Sequence, residues 1–279
     1  MSAIPSIKLN NGVEMPQLGL GVFQIPEGEE VENSVLKALE LGYRSIDTAA
    51  GYHNERGVGR AIKASGLKRE EVFVTTKLAN RNQGFDATLK AFEESMDLLN
   101  MDYLDLYLIH WPIPMYDLYT DSWKAFVKLC GDKRVRAIGV SNFEPAHLDK
   151  VIAETGVTPA VNQIEYHPYL TQQTLYDYCG KRGIALEAWS PLMQGGDVLG
   201  DGLIKRLAEK YRKTAAQIVL RWNIDKGVIT IPKSVRAERM LENISIFDFA
   251  LEPDDVLAID DLNKDFRTGP HPDDFSVKF

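Results

Sequence analysis

The chain has 279 residues, of which 44% are hydrophobic and 26% are charged, so it can bury the large core of a globular protein. Its formal net charge of -8 argues against broad contact with nucleic acid or an anionic membrane, because both need a basic surface. The N-terminal stretch has no apolar secretory core and no segment reaches the roughly 20 apolar residues of a membrane span, so we expect a cytoplasmic protein.

The first predicted element is a β-hairpin over residues 6–16, which we expect to act as a lid or plug. Asn11-Gly12 tolerates the positive φ angles of a two-residue hairpin turn. After it, β-like runs alternate with helix-like runs. The eight predicted strands are 17–21, 43–48, 72–78, 103–109, 135–141, 160–164, 184–190 and 227–231.

Helices are predicted between these strands from the spacing of apolar residues. In 86–99, Leu89, Phe92, Met96 and Leu99 form one helical stripe. Similar patterns predict helices over 29–41, 144–155 and 214–226, with an additional helix over 202–212.

Eight βα units without a composition break predict one (β/α)8 TIM barrel, an α/β fold forming a single domain over residues 1–279. Further helices are expected near the C-terminus. The competing architecture is a doubly wound sheet with a Gly-rich turn of the G-x-G-x-x-G type. The candidate Gly19-Leu-Gly21-Val-Phe-Gln24 fails that pattern at its last position, which favours the barrel.

Four polar residues fall at the C-terminal ends of three successive predicted strands, where barrels carry their chemistry. They are Asp47, Tyr52, Lys77 and His110. Taken singly, Lys77 could simply extend its ammonium group to solvent at a strand end, and a lone His is more often structural than catalytic. Together, Asp47 can hold Lys77 charged, Lys77 can lower the pKa of Tyr52, and His110 Nε2 can orient a carbonyl oxygen. None of the four supplies a hydride, so a cofactor is required.

The later strand ends offer groups that a cofactor can use. Ser141, Asn142 and Gln163 can hydrogen-bond a carboxamide, and Trp189 can stack on a planar ring. The ordinary alternatives are a turn or helix cap for Asn142 and a core position for Trp189. After the last strand, three cations and a hydroxyl precede or open a helix, an arrangement that favours a phosphate site over a solvated helix face. These residues are Lys233, Ser234, Arg236 and Arg239.

Over nearly its full length the chain resembles the aldo-keto reductases. The motifs that carry the resemblance are Gly-Tyr43-Arg-Ser-Ile-Asp47-Thr-Ala-Ala-Gly-Tyr52, Thr-Lys77-Leu, Leu-Ile-His110-Trp-Pro, Gly-Val-Ser141-Asn142-Phe, Asn-Gln163-Ile-Glu-Tyr-His-Pro and Ile-Pro-Lys233-Ser234. Several matches in the right order are more specific than any single motif. The resemblance implies NADPH-dependent reduction of aldehydes and ketones, among them keto-sugars, diketo acids or methylglyoxal.

The resemblance also implies a role for each matched residue. Tyr52 would donate the proton, Asp47 and Lys77 would modulate it, and His110 would orient the carbonyl. Residues implied at the ribose-nicotinamide end of NADPH are Gly21, Val22, Asp47, Ser141, Asn142, Gln163, Trp189, Ser190, Pro191 and Leu192. Residues implied at the adenosine 2′-phosphate and adenine are Lys233, Ser234, Val235, Arg236, Arg239, Glu242 and Asn243.

Within the family the chain is most similar to the prokaryotic branch that includes the 2,5-diketo-D-gluconate reductases, because Trp189 holds the ring-stacking position. Ala79 departs from that branch, which typically has an aromatic residue there, and is expected to widen the substrate pocket. Phe23, Trp111 and residues 271–275 are expected as pocket walls, together with Tyr52 and His110.

Two other functions compete with the reductase. A cofactor-binding regulatory or structural protein of the same fold is the alternative, which the complete set of four polar residues disfavours. A metal-dependent hydrolase is set aside because the five His residues are scattered, and Cys130 and Cys179 form no ligand motif. We expect no metal, a small carbonyl compound as the partner, and a monomer.

Overall fold

Eight parallel strands follow one another around a single sheet in chain order. The structure is a computed structural model that describes residues 4–277. The strands are β3 (Leu20–Gly21), β4 (Ser45–Asp47), β5 (Phe73–Leu78), β6 (Leu104–Ile109), β7 (Val135–Ser141), β8 (Val161–Glu165), β9 (Ala185–Trp189) and β10 (Ile229–Thr230), after the hairpin strands β1 (Ser6–Lys8) and β2 (Glu14–Pro16).

The sheet closes into a barrel between its first and last strands. Thr230 donates its backbone N–H to Gln17 O at 3.0 Å and accepts from Gly19 N at 3.0 Å, so pairing extends past the short ends of β3 and β10. A parallel bridge also joins Gly21 to Lys233. A Cβ on Gly21 would lie 2.9 Å from the backbone oxygen of Ile231, so this closure needs a glycine. The predicted (β/α)8 barrel is confirmed.

Ten helices surround or follow the strands among residues 4–277. They are α1 (Glu29–Glu40), α2 (Glu55–Ala64), α3 (Phe85–Leu99), α4 (Tyr119–Gly131), α5 (Pro145–Thr155), α6 (Gln173–Lys181), α7 (Gly202–Tyr211), α8 (Ala215–Asp225), α9 (Ala237–Ile244) and α10 (Pro253–Asp260). The additional helix predicted over 202–212 is α7. None of these helices is both long enough and apolar enough to cross a lipid bilayer.

The N-terminal hairpin plugs the barrel at the end opposite the strand C-termini. Leu9 and Met15 are buried against residues such as Phe73 and Leu106, which point into the barrel. The predicted two-residue turn is wrong, because Leu9 N donates to Val13 O and leaves a three-residue loop. Gly12 has φ +89 within this loop, which a three-residue hairpin requires at its last position.

Gly59 allows α2 to lie directly against the end of α3. A Cβ on Gly59 would meet the backbone oxygen of Leu99 at 2.2 Å, and that oxygen cannot rotate away. We therefore expect Gly59→Ala to lower the free energy of unfolding by about 1–3 kcal/mol. The matched control is Gly180→Ala in α6, where the added Cβ meets nothing within 4 Å, and it should raise stability by up to ~1 kcal/mol. Urea denaturation followed by circular dichroism checks both, and equal effects would contradict the close-packing explanation.

Candidate active site

A buried ion pair lies where β4 and β5 end. Lys77 Nζ donates to Asp47 Oδ1 at 2.6 Å and to the backbone oxygen of Thr48 at 2.9 Å. Its third hydrogen bond goes to the Tyr52 hydroxyl oxygen at 3.3 Å. An ammonium group has three donors, and all three are now used. The phenol oxygen therefore accepts from Lys77, which leaves its own proton directed elsewhere.

The loop that carries Tyr52 is held by a side chain that sequence reasoning missed. Asn54 is fully buried; its Oδ1 accepts from the Thr48 hydroxyl at 2.7 Å. Its Nδ2 donates to the backbone oxygens of Val22 and Ile25 at 3.0 and 2.9 Å. Residues 48–54 are thus tied to the segment after β3, and this fixes the position of the Tyr52 ring.

Burial and neighbouring charge set the protonation states of the site. Burial raises the pKa of Tyr52 and Lys77 lowers it in part, so the net pKa stays above its ordinary value. The expected lowering by Lys77 is therefore present, but burial outweighs it. Burial, with Lys77, holds the pKa of His110 well below its usual range, so that ring is neutral near pH 7. The Tyr52 and His110 ring centroids lie 5.5 Å apart at 74°. A protonated phenol and a neutral imidazole therefore stand side by side.

One cavity of about 1080 Å³ runs across the C-terminal end of the barrel. The predicted residues that line it are Gly21, Phe23, Asp47, Tyr52, His110, Trp111, Ser141, Asn142, Gln163, Trp189, Ser190, Pro191, Leu192, Lys233, Ser234, Val235, Arg236, Arg239, Glu242 and Asn243. Lys77 lies beneath the lining, fully buried.

Two predicted contacts lie outside the lining. Val22 and Ala79 are buried, with exposures of 0% and 1%, and neither borders the cavity. From the 271–275 segment, Phe275 lines the cavity and its ring centroid is 4.2 Å from that of Trp111. Pocket widening through Ala79 stays a prediction.

One part of the cavity carries a network of amide and hydroxyl groups. Trp189 Nε1 donates to Asn142 Oδ1 at 2.8 Å, and Asn142 Nδ2 donates to His110 O and to Ser141 Oγ, each at 3.0 Å. Ser141 Oγ donates to Gln163 O at 2.9 Å. These bonds join the ends of four adjacent strands, β6 to β9, so the indole and the amide groups hold fixed positions in the cavity that Tyr52 also lines.

Three cations line the cavity where it borders α9. Lys233, Arg236 and Arg239 are exposed, and none forms an ion pair with residues 4–277. Cationic side chains around a loop that enters a helix can hold a phosphate group. A carboxamide-binding network and an open cationic cluster in one cavity fit the two ends of a phosphorylated dinucleotide such as NADPH.

Sequence reasoning missed several residues of the site. The additional lining residues are Gln24, Gly51, Gln194, Gly195, Leu199, Thr214, Ala215, Ala216, Ile231, Pro232, Thr268, Gly269 and Pro270. The carboxylate of Glu165 accepts from the backbone N–H groups of Thr268 and Gly269 at 2.7 and 3.1 Å, which holds the C-terminal segment at the cavity. A Cβ on Gly269 would lie 2.6 Å from the Trp189 ring, so this segment packs directly against the indole edge.

Glu187 was also missed, although its position offered a signal. It lies two residues before Trp189 on β9, and period-two alternation turns both side chains into the barrel. A charged residue inside an apolar strand should have marked it as a candidate. Within residues 4–277, no group of three His, Cys, Asp or Glu side chains is arranged as metal ligands.

Comparison with known proteins identifies close relatives. A sequence model of the aldo/keto reductase family matches residues 17–200 and 197–264. Glyoxal reductase of Bacillus subtilis is 54% identical over 269 residues, 96% of each protein. Methylglyoxal reductase DkgA of Salmonella typhimurium is 50% identical over 270 residues, 96% of this chain and 97% of that protein. The crystal structure of a Gox0644 mutant in complex with NADPH aligns with a TM-score of 0.93 and 46% identity, covering 100% of both chains.

Proposed function

The chain belongs to the aldo/keto reductase family and is an NADP(H)-dependent oxidoreductase, and from this premise we propose that it reduces small uncharged aldehydes and dicarbonyls with Tyr52 as general acid. The observation that carries the proposal is the direction of the bond between Lys77 and Tyr52. Because the phenol oxygen accepts from Lys77, the phenolic proton is available to a ligand in the cavity.

The side chains divide the chemistry among them. NADPH, when bound, supplies the hydride that reduces the carbonyl carbon. Tyr52 donates its proton to the carbonyl oxygen, and Lys77 stabilises the phenolate that remains. The neutral His110 ring donates an N–H to the same oxygen and orients it. Asp47 holds Lys77 in place from the other side.

The charge of the lining supports an uncharged substrate. Among the described lining residues, the only Lys and Arg side chains come from segment 233–239. The Phe23 ring centroid lies 5.0 Å from that of Tyr52, and Trp111, which follows His110, packs against Phe275. These walls offer apolar rings and no cation. A substrate carboxylate there would lose water, and the buried Lys77 beneath this end has already used its three N–H donors, so binding the carboxylate would be costly. Two of the relatives are named for glyoxal and methylglyoxal, which are small and uncharged, as the part of the cavity beside Tyr52 favours.

NADPH oxidation with methylglyoxal and pyruvate tests this substrate class. Pyruvate carries a carboxylate where methylglyoxal carries an aldehyde, so we expect kcat/KM to favour methylglyoxal by about tenfold or more. Glyoxal and benzaldehyde extend the uncharged set. Comparable values for pyruvate would refute the charge argument. Tight NADPH binding without turnover of any carbonyl compound would favour a regulatory protein.

Lys233 and Arg239 are proposed to bind the 2′-phosphate of the cofactor. Neutralising both by Lys233→Gln and Arg239→Gln should weaken NADPH binding by about 100-fold or more, because each charge-assisted hydrogen bond contributes ~1.5–3 kcal/mol. The Kd for NADH, which lacks that phosphate, should change by less than about threefold. Lys63→Gln with Lys68→Gln is the matched control, since both are exposed cations outside the cavity. Calorimetric titration measures all the constants, and equal losses for NADPH and NADH would refute the assignment.

A further inference from the structure

Glu187 is a buried acid inside the barrel that takes no part in the steps above. Its side chain is fully buried and does not border the cavity. Its Oε2 accepts from Gln163 Nε2 at 2.8 Å, whereas its Oε1 has no hydrogen-bond partner among residues 4–277. An acid with an unpartnered oxygen is costly in a barrel interior. A function at the site would account for its presence.

The two N–H groups of the Gln163 amide are both used below the cavity. Nε2 donates to Asp47 Oδ2 at 2.9 Å and to Glu187 Oε2 at 2.8 Å. An amide nitrogen has two hydrogens, so this pair of acceptors satisfies it fully. The reverse orientation would place the amide oxygen against the carboxylate of Asp47 that pairs with Lys77. Asp47 therefore sets the orientation of the amide and Glu187 holds its second N–H, so that Gln163 Oε1 faces away from both acids.

The protonation state of Glu187 fits this role. Burial and the neighbouring Asp47 raise the pKa of Glu187 to about 8, so the group is largely neutral near pH 7. Lys77 from β5 acts on it in the opposite direction. Its neighbours in the sheet, Gln163 on β8 and Ile229 on β10, carry no charge. A neutral carboxyl group still accepts from an amide through its carbonyl oxygen, and it adds no uncompensated charge beside Asp47.

We propose that Glu187 is a positioning residue that locks the Gln163 amide with its oxygen facing the cavity, ready to accept a hydrogen bond from the carboxamide of bound nicotinamide. The inference rests on the proposed function through Gln163, which it treats as a cofactor contact. Glu187 itself touches neither cofactor nor substrate. Its effect should appear only in ligands that carry the nicotinamide ring.

Two substitutions separate the hydrogen bond from the charge of the side chain. Glu187→Gln keeps an acceptor for Gln163 and removes the ionisable group. Glu187→Leu removes the acceptor and puts an apolar side chain of similar size in its place. The full-length protein is titrated calorimetrically with NADPH and with adenosine 2′,5′-bisphosphate, which has the phosphorylated adenosine end and no nicotinamide.

We expect Glu187→Leu to weaken NADPH binding about tenfold and to change the Kd for the bisphosphate by less than about twofold. Glu187→Gln should keep the NADPH Kd within about threefold of the unsubstituted chain. Glu55→Leu is the matched control, because Glu55 is another buried acid that bonds to Thr76 outside the cavity. Glu55→Leu should change the Kd for NADPH and the Kd for the bisphosphate by the same factor.

Three results would overturn the role of Glu187. They are an unchanged NADPH Kd in Glu187→Leu, parallel losses for both ligands, and equal weakening in the Gln and Leu variants. If Glu187→Leu does not fold, Glu187→Met gives the same comparison with a flexible side chain. These titrations need no turnover, so failure of the proposed reductase activity would show separately as NADPH binding without NADPH oxidation.

Discussion

Tyr52→Phe is expected to lower kcat for NADPH-dependent reduction of methylglyoxal by about 10²–10⁴-fold, the usual contribution of a positioned general acid. The substitution removes a single oxygen. The ring keeps its contacts with Phe23 and His110, whose centroids lie 5.0 and 5.5 Å away. NADPH affinity should therefore change by less than about threefold, and steady-state kinetics with a binding titration separates the two quantities.

The control for this substitution removes a phenol hydroxyl elsewhere in the barrel. Tyr43 donates its hydroxyl to the backbone oxygen of Met240 at 2.9 Å and is fully buried. Tyr43→Phe should cost about 1 kcal/mol of stability and leave kcat unchanged. A Tyr52→Phe variant that retains more than a tenth of the kcat would refute the role of Tyr52 as general acid.

The direction of the reaction should respond to pH through the same phenol. Burial raises the pKa of Tyr52 above its ordinary value of about 10. Tyr52, the proposed proton donor, thus stays protonated through neutral and mildly alkaline pH, and reduction should not lose activity there from this group. Alcohol oxidation needs the phenolate and should increase with pH over the same range.

Strand ends were the most predictable part of the molecule. Asp47, Lys77 and His110 follow from one rule, since the C-terminal ends of parallel barrel strands meet at one face. An acid, an amine and an imidazole can act together chemically, and this favoured a common pocket over three separate structural roles. The net pKa of Tyr52 was less accessible, because it depends on how completely the barrel excludes water around the ring.

The contacts that sequence reasoning missed join segments far apart in the chain. Glu165 binds Thr268, 103 residues later, and no spacing or periodicity connects two such positions. Asn54 holds the loop that carries Tyr52, and Glu187 is proposed to act through Gln163. Neither residue stands at a strand end where chemistry is expected. Ala79 departs from a family pattern, and a wider substrate pocket was predicted from that departure; the residue is buried and outside the cavity lining, and the widening stays a prediction.

Lys77→Met is expected to reduce both stability and turnover. Lys77 and Asp47 are almost fully buried and pair at 2.6 Å, so removing the cation leaves the Asp47 carboxylate with the Gln163 amide as its one hydrogen-bond partner among residues 4–277. Breaking a buried pair in this way costs ~3–5 kcal/mol. Turnover should fall by about 10²-fold or more, because Tyr52 loses the cation that stabilises its phenolate. Urea denaturation and steady-state kinetics measure the two effects.

The double variant Lys77→Met with Asp47→Asn separates the two losses. Removing the carboxylate as well takes away the unpaired charge, so most of the lost stability should return. Turnover should not return, because the cation near Tyr52 is still missing. A double variant as unstable as Lys77→Met would contradict the ion-pair explanation, and one with restored kcat would contradict the role of Lys77 in proton transfer.

Alkaline titration gives an independent measure of the same pair. Burial alone would lower the pKa of Lys77, but Asp47 and Tyr52 outweigh it and raise the pKa above its ordinary value. A group whose pKa is raised on folding stabilises the protein fully below its unfolded pKa, which is about 10.4 for lysine. This contribution is lost as the pH rises from there through the folded pKa. The unsubstituted chain should therefore lose stability above about pH 10 by a step that Lys77→Met lacks, since without an ammonium group there is no proton to release.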